Sequence, residues 1–207
     1  MDDGRAVISV LLADDENLIR AALRTMLDLE PDIDVVAEAS TGDEALSKAR
    51  AFTPDIAVLD LQMPVLDGVE VAERLREHLP NCGVVIVTSH GRPGYLKRAL
   101  SVGARGFLPK TTSASTLADV IRKVAAGGRF VDPEIAAEAI SAGDSPLTPR
   151  EADVLEHAAE GASVEEIARR VSLTPGTTRN YLSSAVSKLG AANRYEACVI
   201  ARRFGWI

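Results

Sequence analysis

The strongest constraint in this sequence is an alternation. Short apolar runs recur at residues 7–13 (VISVLLA), 35–39 (VVAEA), 56–60 (IAVLD), 84–88 (VVIVT) and 106–108 (GFL), with amphipathic stretches between them. The first, third and fourth runs are almost continuously apolar, as strands buried on both faces must be. Between the runs, helical stripes are marked by Leu18, Ile19, Ala22, Leu23, Met26 and Leu27, then by Ala45, Leu46 and Ala49. Val71, Leu75 and Leu79 mark a third, Leu96, Ala99 and Leu100 a fourth. Leu117, Val120, Ile121 and Val124 mark a fifth, which Gly127 and Gly128 end. Five strand-helix repeats predict an α/β fold, a doubly wound five-stranded parallel sheet with helices on both faces. Ligands in such folds sit outside the carboxyl ends of the strands.

The 207 residues exceed what one small domain needs, and the charge is unevenly shared. The net charge is −7, yet residues 147–207 hold eight Lys/Arg against seven Asp/Glu. Nearly all the acidity therefore lies in the N-terminal part, which suggests a division of labour. The expected division is residues 1–128 as the sheet domain, 129–146 as a linker with a short helix over 133–140, and 147–207 as a second domain. The two cysteines, Cys82 and Cys198, have no metal-ligand spacing and read as buried thiols in a reducing compartment. The apolar run 7–13 is cut by Asp14 and Asp15, unlike a secretory leader, and no stretch approaches the ~18 apolar residues of a membrane span. A cytoplasmic chain without membrane insertion is expected.

The second domain reads as all-α, with four helices. Thr148-Pro149-Arg150-Glu151 is a capping box with proline at the first helical position, and Ser163-Val164-Glu165-Glu166 reads as another. Thr174-Pro175 opens a third helix running to about Leu189, and a fourth spans about 194–204. A short helix over 163–171, a tight turn at Ser172-Leu173 and a longer helix follow the helix-turn-helix order.

Asp14 and Asp15 end the first strand and Asp60 ends the third, so the fold brings three carboxylates to one cleft. Close carboxylates repel and call for a cation, and an oxygen-only donor set favours Mg²⁺ (or Mn²⁺). Thr88 ends the fourth strand and Lys110 follows the fifth. A hydroxyl and an ammonium there suit a phosphoryl group as its charge is redistributed, with an Asp carboxylate as nucleophile. An acidic pair after a strand is more often a helix cap, and a lone Thr, Lys or Phe means little. Five such positions, each at a strand end, make accident a poor explanation.

The set ADDE (13–16), VLDLQMP (58–64), VTS (87–89) and GFLPK (106–110) resembles the receiver domains of two-component systems, with their flavodoxin-like, CheY-like fold. The resemblance implies that Asp60 accepts phosphate from a cognate histidine kinase. It implies Asp15, Asp60 and the backbone carbonyl of Gln62 on the metal, with Asp14 assisting through water. Thr88 and Lys110 would hold phosphoryl oxygens, and Phe107 stands at the family's switch aromatic. One departure concerns proline. The family often has it directly after the lysine with a cis bond; here Pro109 precedes Lys110 and Thr111 follows. A cis Lys110-Thr111 bond would cost ~3 kcal/mol or more.

In the third helix of the C-terminal domain, Thr178, Leu182, Val186 and Leu189 share a core face, and Arg179, Asn180, Ser183 and Ser187 the opposite one. The stretch from Leu147 to Ala197 resembles the DNA-binding domain of NarL/FixJ (LuxR-type) regulators. By that resemblance Arg179 is the leading base or phosphate contact. Asn180 and Ser183 are candidate base readers, and Thr177, Lys188 and Arg194 candidate phosphate contacts. Tyr181 and Thr178 depart from the common His and Val, and Ser183 replaces a position that is basic in some members. So few basic residues predict weak binding by one domain and a homodimer on paired half-sites of double-stranded DNA. RPGY (92–95), TTRNYLS (177–183) and the terminal GW (205–206) are similar to the DesR-like subgroup, whose members regulate membrane-lipid genes.

The expected mechanism is a population shift: phosphorylation of Asp60 draws Thr88 and Phe107 inward, and the receiver dimerises through its first and fifth helices or, alternatively, between its fourth helix and fifth strand. No turnover of a separate substrate is expected. An aspartyl-nucleophile phosphohydrolase would want a second Asp two residues after the first, where Gln62 stands. A DNA-binding protein gated by a ligand or partner would not need the carboxylate set.

Overall fold

The computed structural model describes residues 7–89, 93–141, 143 and 145–207. Arg92 of the RPGY stretch and Asp144 of the 143–146 loop lie outside the described residues. The chain forms two compact units, the first reaching to about Ala136 and the second holding the remaining C-terminal residues.

The first unit is built on a parallel sheet of β1 (Ile8–Ala13), β2 (Ile33–Ala39), β3 (Ile56–Asp60), β4 (Gly83–Thr88), β5 (Gly106–Pro109) and β6 (Phe130–Val131), in the order β2-β1-β3-β4-β5-β6. The change of direction after β1 is the topological switch point that opens a crevice at the strands' carboxyl ends. The expected five strands are present. The sixth, two half-buried residues paired to Gly106 and Phe107, falls in the stretch assigned to the linker. Two residues carry no periodicity, so nothing local announces this strand; its pairing is set by β5.

The helices are α1 (Asn17–Leu27), α2 (Gly42–Phe52), α3 (Gly68–His78), α4 (Pro93–Ser101), α5 (Ala114–Ala125) and α6 (Pro133–Ser141). One core layer joins Val10, Leu12, Val58, Val85 and Val87 of the sheet to Leu27 of α1 and Leu117, Val120, Ile121 and Val124 of α5. The expected α5 stripe is wholly buried, and Gly127, at φ 82°, follows the helix in the left-handed conformation that glycine adopts freely. In α1 the apolar set divides. Leu27 is buried and Leu23 packs against this core, whereas Leu18 and Met26 point to solvent with Ala22. Eleven residues packed at one edge of the sheet can turn only one line of side chains inward.

The second unit contains α7 (Pro149–Ala159), α8 (Val164–Arg170), α9 (Pro175–Lys188) and α10 (Arg194–Phe204). Val154, Leu155, Ile167, Leu182, Ala185, Ala197 and Ala201 form its core, with Trp206 packed on it. Thr148 and Glu151 make the full capping box, with Pro149 in the first turn. The second expected box is only half made: Ser163 accepts from the Glu166 N–H, but the Glu166 carboxylate goes to Arg170 at 2.6 Å instead. An i,i+4 arginine on the same face outcompetes the return bond. Thr178 and Leu182 are buried as expected, while Val186 and Leu189 are half-buried. No described helix is long and apolar enough to cross a membrane.

Candidate functional site

Strand register brings the N-terminal unit's polar residues together. β1 lies beside β3, and Asp60 pairs with Val87, one residue before Thr88. The Lys110 N–H donates to the Thr88 carbonyl at 2.7 Å, which seats the lysine at the same sheet end. The loop after Asp60 folds tightly over it. A Cβ on Gly68 would lie 2.3 Å from the Asp60 carbonyl oxygen, so only glycine lets α3 begin there. In the same loop Val65 has φ 73°, and the Leu66 N–H donates to the Pro64 carbonyl at 2.9 Å. A β-branched residue in the left-handed region is strained, and such strain collects at functional sites. All peptide bonds among the described residues are trans, the one after Lys110 included.

Asp14, Asp60 and Thr88 are buried, and the Lys110 side chain is only 5 % exposed. Lys110 Nζ lies 2.8 Å from Asp14 Oδ2, 2.9 Å from Asp60 Oδ2 and 3.0 Å from Glu16 Oε1. Burial pushes the Asp60 carboxyl up to about 6; Lys110 opposes the shift and the Asp14 charge adds to it. Burial works against the Lys110 charge, but hydrogen bonding to the surrounding carboxylates holds its pKa above the ordinary lysine range. The site carries more negative charge than one ammonium can neutralise.

Asp14 Oδ1 accepts from the Glu16 N–H at 2.8 Å, so the pair at the end of β1 does supply a turn. Asp14 Oδ2 is different. It is buried and accepts no hydrogen bond, for all its nearness to the ammonium. Carboxylate oxygens of Asp14, Asp15 and Asp60 all lie within 4.8 Å of one another, and Asp15 is exposed to solvent. An orphaned buried oxygen beside two further carboxylates fits a hard divalent cation that keeps part of its water shell. Gln62 stands at the rim, and its backbone hydrogen bonds the Asp60 carboxylate. Phe107 and Thr88, expected to be drawn inward, are already inside in this state, the ring wholly buried. With no hydroxyl on the ring, full burial leaves no polar group unpaired.

In the second unit Arg179, Asn180 and Ser183 stand exposed on one face of α9. Arg179 pairs with Glu165 of α8 at 3.1 Å. With Val164, Leu182, Val186 and Arg194, Arg179 and Ser183 line an open recess of about 460 Å³ beside that face. Thr177 hydrogen bonds the Thr174 hydroxyl at the helix start, and Arg194 opens α10. Lys188 is paired as well, but with a buried partner: its ammonium meets Glu151 of α7 at 2.7 Å. Glu151 is buried and also accepts from Ser184 Oγ at 2.6 Å and the Thr148 N–H at 2.7 Å. Burial alone would raise its pKa, but these donors hold it down at about 2. Two glutamates thus escaped the sequence reading. Glu151 was legible as a cap but not as the partner of Lys188, and Glu16, beside the acidic pair, was not picked out as the partner of Lys110.

The family comparisons agree with this geometry. Residues 10–122 match the response regulator receiver domain, and residues 145–201 match the bacterial regulatory proteins of the luxR family. The chain is 38% identical over 200 residues to the transcriptional regulatory protein DesR of Bacillus subtilis (strain 168), covering 97% of this chain and 99% of DesR. It is 36% identical over 202 residues to the transcriptional regulatory protein UhpA of Escherichia coli (strain K12), covering 97% of this chain and all of UhpA. Among solved structures it is similar to the response regulator ChrA of a heme-sensing two-component system, with TM-score 0.59 and 32% identity over 98% of this chain and all of ChrA. A receiver sheet carrying an acidic, lysine-centred pocket and a LuxR-type helix-turn-helix unit occur in one chain, which belongs to the NarL/FixJ family of two-component response regulators and is a transcriptional regulator.

Proposed function

We propose that Asp60 is the phosphoacceptor, that a cognate histidine kinase in the cytoplasm is the donor, and that phosphorylation promotes a homodimer binding paired half-sites of double-stranded DNA. Residues 1–128 form the receiver in this reading, 129–146 the linker, whose β6 adds a last short strand to the receiver sheet, and 147–207 the DNA-binding domain. An Asp60 carboxylate oxygen attacks phosphorus, the bond from phosphorus to the donor's imidazole nitrogen breaks, and the imidazole leaves with the electron pair. The Thr88 hydroxyl and the Lys110 ammonium donate to the phosphoryl oxygens, and Phe107 reports their position to the receiver surface. Asp14, Asp15, Asp60 and the Gln62 carbonyl would hold Mg²⁺ (or Mn²⁺), which supplies positive charge to the transferring group. The acyl phosphate is a switch state of the protein itself, and its hydrolysis resets the switch without a separate substrate.

The dimer contact falls on α1 and α5, which pack against each other. Leu18 and Met26 of α1 and Leu29 just after it are exposed, and apolar surface left in water favours association. On DNA, Arg179, Asn180 and Ser183 read bases, while Thr177, Lys188 and Arg194 hold phosphates.

The observation that carries this reading is the buried Asp14–Asp60–Lys110 cluster with its orphaned Asp14 Oδ2. Asp60→Asn is expected to abolish dimerisation and tight DNA binding induced by acetyl phosphate, read by light scattering and gel shift. Unchanged behaviour in both assays would overturn it.

A further inference from the structure

Lys110 Nζ lies within 3.0 Å of oxygens from three carboxylates and donates a hydrogen bond to Glu16, so its surroundings are already filled in this state. To hold a phosphoryl oxygen, the ammonium must give one of them up. Asp14 is fully buried. Asp60 is the acceptor in the reading above, on which this inference rests, and the arriving group is attached to it. Glu16 is different in kind. It stands 53% exposed at the N-cap of α1. Its side chain makes no capping bond to the helix and donates nothing to the fold there. Instead its Oε1 accepts from Lys110 Nζ at 3.0 Å, across 94 residues of sequence. A half-exposed carboxylate can return to water at little cost, which the two buried ones cannot.

We propose that Glu16 is a positioning residue for phosphoryl transfer: it keeps Lys110 engaged through its hydrogen bond to the ammonium and is displaced to solvent when a phosphoryl oxygen takes its place. Its negative charge at the pocket rim also opposes the approach of an anionic donor. Glu16 therefore sets how much donor the site needs, while Lys110 and Asp60 perform the transfer.

The test uses the full chain at saturating Mg²⁺ with acetyl phosphate. In that reaction an Asp60 oxygen bonds to phosphorus, the bond from phosphorus to the acetyl oxygen breaks, and acetate leaves. Glu16→Gln and Glu16→Ala are each expected to lower the half-saturating donor concentration about three- to tenfold, the range of one half-exposed charged hydrogen bond, with no loss of maximal rate. Asp119→Asn removes a carboxylate from the outer face of α5, where it pairs with Arg122, and is expected to leave both quantities unchanged. A gain is the readout because damage to the fold does not produce one. Wild-type kinetics in both Glu16 variants, or an equal gain in Asp119→Asn, overturns the role of Glu16 while leaving the acceptor reading intact. No label on any of the chains overturns the acceptor reading itself, and this inference with it.

Discussion

Each unit of this chain sets a buried carboxylate beside a lysine, and the two arrangements are solved in opposite ways. In the helix-turn-helix unit, Glu151 meets Lys188, Ser184 and the Thr148 N–H, and its carboxyl is held down at about 2. In the receiver, Asp60 is pushed up to about 6 and Asp14 keeps an oxygen without any donor. Both sites set a buried carboxylate beside a lysine. The difference is whether the surroundings complete the hydrogen bonding. A completed network fixes one arrangement and serves as scaffold. An incomplete one is held against its own preference by the sheet, and is ready to take whatever completes it.

This contrast can be broken by substitution. The largest effect is expected at Glu151. Glu151→Ala removes the cap partner and leaves Ser184 and the Thr148 N–H without their acceptor, while the partly exposed Lys188 turns to water, and should cost about 3 kcal/mol. Urea unfolding followed through Trp206 reads this, because that ring packs on the same core. The sign with pH follows from the depressed pKa. The contribution of Glu151 is complete above its ordinary value near 4.5 and is lost as pH falls toward about 2. Glu151→Gln should flatten stability across that acid window. An unchanged slope would show that Glu151 is not the scaffold described here.

Mg²⁺ should act on the other site alone. At a hundredfold excess over its dissociation constant it should add about 2.7 kcal/mol to the receiver and leave the Trp206 transition in place. A smaller effect is expected from Asp14→Asn. Without metal it should stabilise the receiver by about 1 kcal/mol, because one of several mutually repelling carboxylates loses its charge, and it should weaken the Mg²⁺ response. Destabilisation of that size without metal would mean the site is not frustrated. The smallest effect belongs to a half-exposed pair of the same chemistry on a helix surface. Lys48 and Glu44, one turn apart on α2 at 2.6 Å, should be worth about 0.5 kcal/mol or less by double-mutant cycle.

The receiver was legible in the sequence because its chemistry sits at strand ends. Asp14, Asp15, Asp60 and Thr88 each close an apolar run and Lys110 follows the fifth, so finding the strands also found the pocket. Phe130–Val131 was not legible, since two residues have no period and their pairing depends on β5. The α1 residues were read as one helical stripe, of which Leu18 and Met26 face outward. Periodicity marks an apolar residue but does not say how wide a face the neighbouring elements cover. The lysine partners were out of reach for a related reason. Glu151 and Lys188 lie 37 residues apart, and a local capping pattern accounts for Glu151 without its tertiary partner. Glu16, whose partner lies 94 residues away, offers no spacing signal at all.

The most direct measurement of the central claim is the position of the phosphoryl group after the full chain is incubated with Mg²⁺ and acetyl phosphate or a kinase preparation. Peptide mapping by mass spectrometry should find it on Asp60, absent in Asp60→Asn, with DNA affinity rising in step with occupancy. Label on another residue, or DNA binding that ignores occupancy, would contradict the account.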